Sequence, residues 1–166
     1  MKWLSFLVND EIFAVDVTLV QKIARNIAVT PVPTAPNAVV GIANVKGRVV
    51  TVLSLAVLLK RSRDMGSRFD TRVHAVVFKP FTGADDQMAL VIDKPGDLVT
   101  ISENKILPLS WTTGEEEKLY ISATAEVDDR LYRIINVESI VNRFRKSGEK
   151  NADTMSMGGT GEDEKI

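Results

Sequence analysis

The chain has no cysteine and one histidine, His74, in its 166 residues. Without cysteine there is neither a disulfide framework nor a thiolate metal site. A lone imidazole in a predicted strand, with no H-x-x-x-H or H-x-E spacing around it, spells out no metal or catalytic pair. An excess of one charge sign is missing too: 21 lysines and arginines stand against 22 aspartates and glutamates, for a formal net charge of -1. That balance supplies no strong field for holding a phosphate backbone or an anionic membrane surface. Long apolar runs are also absent. The longest, Val49 to Leu59, is interrupted by Thr51 and Ser54, well below the roughly 18 consecutive apolar residues of a membrane helix. The run from Met1 to Val8 is too short for a signal-peptide core, and no cleavage site follows it. The expected location is the cytoplasm.

Catalytic signatures are missing in the same way. The serines lack a G-x-S-x-G context. Gly41 and Gly47 bracket Ile42 to Lys46, but the G-K-[ST] ending of a phosphate loop is not there. Asp85-Asp86 and Asp128-Asp129 are paired carboxylates placed where turns are expected, and turns favour aspartate for local hydrogen bonding. Phe6, Phe13 and Phe78 lie in predicted strands and read as core; Trp3 and Trp111 fit either core or a partner anchor. No cofactor, metal site or catalytic residue is expected, and the chain reads as a non-enzyme.

What is present is a succession of short alternating or β-branched runs separated by turn residues, the pattern of many small strands. Lys2–Val8 and Glu11–Asp16 flank Asn9-Asp10 and predict a hairpin. Asp16 is placed to cap a short helix over Val17 to Arg25, with Val20 and Ile23 on its apolar side. Three prolines between Thr30 and Pro36 predict an edge, loop or polyproline turn. Val39–Val45 and Arg48 to Leu53 form a second hairpin around Lys46-Gly47, and Ser54 caps a short helix, Leu55 to Leu59. Lys60 to Asp70 is charged and reads as a mobile connection. Strands Arg72 to Phe78 and Gln87 to Asp93 follow, around a loop from Lys79 to Asp86. Pro95-Gly96 breaks the run before Leu98 to Ile101; Ile106 to Pro108 is another short apolar piece, and Glu115 to Glu117 reads as loop. A last hairpin joins Lys118 to Val127 with Arg130 to Val137, and Glu138 to Arg145 reads as a terminal helix. From residue 146 onward the composition turns to Gly, Ser, Thr and charge, which predicts a disordered tail, 146–166.

Lys46-Gly47-Arg48 with the apolar run after it is echoed by Asp128-Asp129-Arg130 with its own apolar run. Ala14-Val15-Asp16 is likewise echoed by Val91-Ile92-Asp93. The economical reading is a mainly β domain, 1–145, of two related and intertwined small barrels, the second mostly 70–137.

The order and spacing of these pieces resemble the CheW family of bacterial chemotaxis coupling proteins from Trp3 to Phe144. The resemblance is carried by Phe6-Leu7-Val8, Ala14-Val15-Asp16, Val20-Gln21-Lys22-Ile23 and Val29-Thr30-Pro31-Val32-Pro33. It is carried above all by Val40-Gly41-Ile42-Ala43-Asn44-Val45-Lys46-Gly47-Arg48-Val49-Val50, and then by Val91-Ile92-Asp93 and Asp129-Arg130-Leu131 through Ile140. It implies two packed five-stranded SH3-like barrels with short helices. It also implies a coupling adaptor between the cytoplasmic tips of methyl-accepting chemoreceptors and the regulatory domain of a CheA-type histidine kinase, with no nucleic acid and no membrane insertion. The candidate partner contacts are Val20, Lys22 and Ile23 on the expected first helix, with Gly41, Lys46 and Gly47 on the hairpin beside it. Three positions depart from the family pattern. Lys22 stands where a glutamate is usual, Lys46 where an arginine is usual, and Pro95 where a hydrophobic residue is usual, so the opposite-charge pair of the family becomes two like charges here. The competing reading, a small-barrel nucleic-acid or ligand-binding module, requires an exposed groove that is both aromatic and basic.

Overall fold

A computed structural model describes residues 1–61, 71–81, 87–109 and 114–144. The charged connection beyond Arg61, the Asp85-Asp86 pair, Trp111 and the tail fall outside the described residues. Most of the rest is strand: β1 Lys2–Val8, β2 Glu11–Asp16, β3 Val20–Val29, β4 Val39–Val45, β5 Arg48–Ser54, β6 Thr71–Phe78, β7 Gln87–Ile92, β8 Lys94–Thr100, β9 Ile106–Pro108, β10 Ile121–Val127 and β11 Arg130–Ile135. Two short helices, α1 Leu55–Leu58 and α2 Glu115–Tyr120, lie between them. The mainly β class expected from the sequence is therefore found.

Turn chemistry sets the hairpins. Asn9 and Asp10, Lys46 and Gly47, and Asp128 and Asp129 all have positive φ, between 50° and 81°. Paired positive φ values make type I′ turns, whose twist matches that of the strands they join. Asp16 accepts from Thr18 N–H at 2.9 Å and Asp93 from Asn9 N–H at 2.7 Å, so both members of the echoed Val-Asp motif satisfy backbone donors. Ser54 Oγ accepts from Val57 N–H at 3.2 Å and caps α1.

The strands form two sheets, one in the order β8-β1-β2-β11-β10-β9 and one in the order β3-β6-β7-β5-β4. Apart from the short additional β9, the two orders are the same. In each, an antiparallel hairpin (β1-β2 or β6-β7) lies beside a strand that runs parallel to it (β11 against β2, β5 against β7). Each hairpin sends its next strand to the other sheet: β3 follows β2 but pairs with β6, and β8 follows β7 but pairs with β1. The sequence echo is thus a structural repeat with one strand exchanged each way. A border near residue 70 does not separate the sheets, because β6 and β7 complete the first of the repeats read along the chain and β1 and β2 belong with β8 to β11.

Because β1, β2, β6 and β7 carry apolar residues on both faces, they are buried on both. Trp3, Ala14, Ala125, Tyr132 and Ile134 fill the inside of the six-stranded sheet. Ala24, Val50, Ala75, Val77 and Ala89, with Val40, Val52 and Val73, fill the five-stranded one. The opposite faces present Phe6, Phe13 and Val15 from β1-β2 and Val76, Phe78 and Leu90 from β6-β7, all at most 2% exposed. Phe6 and Phe13 are cross-strand partners with ring centroids 6.1 Å apart. The two sheets meet where Asp93 N–H donates to Leu7 C=O at 2.8 Å. Trp3 is a core residue rather than a partner anchor.

Four expectations are corrected. The segment after Asp16 is a single 3-10 turn, Val17–Leu19, followed by β3, and not a helix to Arg25. The strand β8 runs through Pro95 and Gly96 instead of starting after them. Proline is tolerated because β8 is an edge strand, and Gly96 sits at a register shift opposite Leu4 to Phe6. A Cβ on Gly96 would lie 2.8 Å from Ser5 C=O. Finally, Glu115–Tyr120 is helical, so Glu115 and Glu117 are not in a loop and the strand after them starts at Ile121 and not at Lys118.

A second unit begins at Asn136. Its described part is a helix over 137–144, capped where Asn136 Oδ1 accepts from Ser139 N–H at 3.1 Å. Val137, Ile140 and Val141 are its buried stripe.

Candidate partner-binding surface

Val20, Lys22 and Ile23 lie on β3, all half-buried, and their setting is a strand interrupted by register shifts at Val20/Lys22 and Ala24/Ile27. Strand directions bring them to the same end of the five-stranded lobe as the Lys46-Gly47 turn. Val20 pairs with Phe78 at the end of β6, β7 begins there at Gln87, and β5 runs parallel to β7 with Val50 opposite Gln87. Val45 pairs with Arg48 at that same end. The buried Gln87 amide ties the end together, donating to Gln21 Oε1 at 2.7 Å and to Phe78 C=O at 3.1 Å. Lys46 and Gly47 are exposed, and Asn44 Oδ1 accepts from Gly47 N–H at 2.9 Å.

Gly41 has a different role. It is buried, and a Cβ there would fall 2.1 Å from Thr30 C=O. The missing side chain lets Thr30 and Ile42 exchange two backbone hydrogen bonds of 2.8 and 2.9 Å, which tie the segment after β3 to β4. Gly41 therefore shapes the lobe from inside and presents no contact surface.

Along the seam between β3 and β4 runs an open groove of about 480 Å³. Asn26, Ile27 and Ala28 form one wall, Ile42, Asn44 and Val49 the other, with Arg72 beside them. Val49 is 62% exposed and Ile42 37%, and both are aliphatic. Of the described aromatics, Trp3, Phe6, Phe13, Phe78, Tyr120 and Tyr132 are buried and Phe81 and Phe144 are half-buried. No ring among the described residues is fully exposed, whereas the nucleic-acid reading requires an exposed stacking surface.

His74 is accounted for by structure. Its Nδ1 accepts from Asn26 N–H at 3.0 Å at the β3 bulge. Among the described residues no group of three or more histidines and carboxylates is arranged to hold a metal. Asp128 and Asp129 serve as turn residues.

Two features escaped the sequence reading. One is a ring of alternating charges: Glu11 bridges Arg61 (2.6 Å) and Arg133 (3.1 Å), and Glu117 bridges the same two arginines. It joins the segment after α1 to β2, β11 and α2, and its members come from positions too far apart for any spacing to reveal. The other is a charge division that the whole-chain total conceals. Residues 17–92 hold ten lysines and arginines against four aspartates and glutamates, and the rest of the chain holds eleven against eighteen. From residue 17 to residue 63 there is no acidic residue at all.

The scan against family models matches the CheW-like domain over residues 2–145. The chain belongs to the CheW family. A chemotaxis protein CheW from Helicobacter pylori is 27% identical over 144 residues, covering 86% of this chain and 82% of that protein. A CheW from Bacillus subtilis is 22% identical over 142 residues, covering 86% and 87% respectively. Among solved structures, the scaffolding protein TtCheW from Thermoanaerobacter tengcongensis superposes with a TM-score of 0.66 at 20% identity, over 81% of this chain and 88% of that one. That likeness gives the fold, a pair of SH3-like barrels, and in this CheW-family chain the two curled sheets are those barrels. Among the described residues no helix is long and apolar enough to cross a membrane.

Proposed function

We propose that this chain is a non-enzymatic coupling adaptor of the cytoplasm, linking chemoreceptor tips to the regulatory domain of a CheA-type histidine kinase. The observation that supports this most is the family match over 2–145, and the scaffolding role named for the structural neighbour agrees with it. The physical design fits such work. Two lobes with strands buried on both faces form a stiff body, and a stiff body can pass a change in one partner's position to another. The contact surface is assigned to the exposed end of the five-stranded lobe, with Lys22, Lys46 and Gly47 at its centre and the half-buried Val20 and Ile23 supporting it. Gly41 acts there through the shape it allows.

Reconstitution of the kinase with soluble receptor tips tests the reading. Kinase autophosphorylation is expected to respond to receptor state only when this chain is added. A folded protein that binds neither partner, and leaves kinase activity independent of the receptor, contradicts it.

A further inference from the structure

We propose that the end of the five-stranded lobe docks an acidic, aliphatic-bearing segment of its protein partner, recognised by charge at Lys22, Lys46 and Arg48 and by contact at Ile42 and Val49. This rests on the adaptor reading and adds to it the chemistry of the partner.

Three observations converge on it. The strand order brings the first residues of β3, the β4-β5 turn and the start of β5 to one end of the lobe, so Lys22, Lys46 and Arg48 share a surface region. None of them, nor Arg25, forms an ion pair among the described residues, residues 17–63 contain no carboxylate, and Asp85-Asp86 between β6 and β7 lie outside the described residues. Next to that region Val49 and Ile42 stand exposed on a groove that opens beside the turn, with the Asn26 and Asn44 amides on its walls. Cations with no ion pair among the described residues, set around an aliphatic patch, attract a surface with the reverse charge and repel a basic one, which gives selectivity and fast association. Aliphatic anchors, in place of exposed rings, favour a protein segment over a nucleic acid among the described residues.

The charge at position 22 therefore decides which partner is accepted. With lysine there, and lysine again at 46, a segment carrying basic residues opposite both is excluded, whereas glutamates or aspartates are drawn in.

The test uses the full chain with receptor tip and kinase regulatory domain from the same genome. Binding is expected to weaken about 10-fold or more between roughly 50 and 500 mM NaCl, as for steered association between opposite charges. The double variant K22E/K46E is expected to lose about 10-fold to 100-fold in affinity at low salt, and K94E/K105E, in the other lobe, to lose less than about 2-fold. Carboxylate-to-lysine changes in the partner are expected to restore binding to K22E/K46E. Salt-indifferent binding that survives K22E/K46E overturns the proposal and leaves the adaptor reading standing. If neither partner binds, the adaptor reading fails, and a second probe decides the proposal alone: a synthetic Glu/Leu peptide titrated at low salt. Amide shifts confined to residues 20–25 and 42–49 support it. Shifts spread over both sheets, no shifts, or tighter binding of a single-stranded oligonucleotide at the same residues overturn it.

Discussion

The two lobes are built on one plan and carry opposite charge. Five strands follow the same order in each, with a parallel pair at the same place and one strand borrowed from the other lobe. Both close their last hairpin with a type I′ turn, Lys46-Gly47 in one and Asp128-Asp129 in the other. The same turn geometry is thus built from a cation and a glycine in one lobe and from two carboxylates in the other. Backbone shape is held by burial and turn conformation, and surface charge is free to diverge around it. The shared frame therefore belongs to folding, and the difference is what the proposed docking surface uses.

The comparison breaks most severely in the core. Phe13→Ala removes a completely buried ring stacked on Phe6, at an expected cost of about 3–5 kcal/mol. Urea denaturation followed by tryptophan fluorescence and far-ultraviolet circular dichroism is expected to show one shared, lowered midpoint. Two separate transitions would mean that the lobes are independent bodies that happen to share a strand order.

Next come the two glycines that allow close approach in each lobe. Gly41→Ala and Gly96→Ala are each expected to destabilise by about 1–3 kcal/mol through overpacking. Gly41 is expected to be the worse, because its new Cβ meets Thr30 backbone at 2.1 Å, whereas at Gly96 the closest backbone atom is Ser5 C=O at 2.8 Å, beside the Ser5 hydroxyl held by Asp97. Equal effects would say that the two seams tolerate crowding alike.

The charge ring has a smaller effect. Its side chains are about a quarter exposed, 21–27%, so Arg61→Met is expected to cost about 1 kcal/mol, since solvent screens partly exposed pairs. The double variant with Arg133→Met is expected to cost less than the sum of the singles, because both arginines share Glu11 and Glu117. Strict additivity would show that the four charges do not act together. Smallest of all, K22E/K46E is expected to shift stability by less than about 0.5 kcal/mol, because neither lysine has an ion-pair partner among the described residues.

Much of the frame was legible from alternation and turn pairs; the bounds of β1, β2 and β4 follow directly from them. The failure at β3 has a specific cause. Its apolar residues Val20, Ile23, Ala24 and Ile27 fall at spacings of three, one and three, which imitate a helix face, although Ile23 and Ala24 pair with Val76 and Ala75 and so lie on opposite faces of the strand. At β8, Pro95-Gly96 reads as a break because local sequence does not say whether a strand is at an edge or what crowds it. Lys22, Lys46 and Gly47 were named from family likeness, and strand directions give them a common end. Gly41 is buried against Thr30 backbone, and in sequence a glycine needed for such close packing looks the same as one needed for a contact. The charge division lay open in the sequence, in the acid-free run over 17–63, but a whole-chain total averages it away.

The central claim is that this stiff two-lobed body holds two partners at once. Sedimentation of the purified chain with receptor tip and kinase regulatory domain tests it most directly. The account predicts a faster-sedimenting complex that contains all three proteins and that loses a partner when K22E/K46E replaces the wild type. A chain that is folded yet sediments alone, with both partners present in excess, would contradict it.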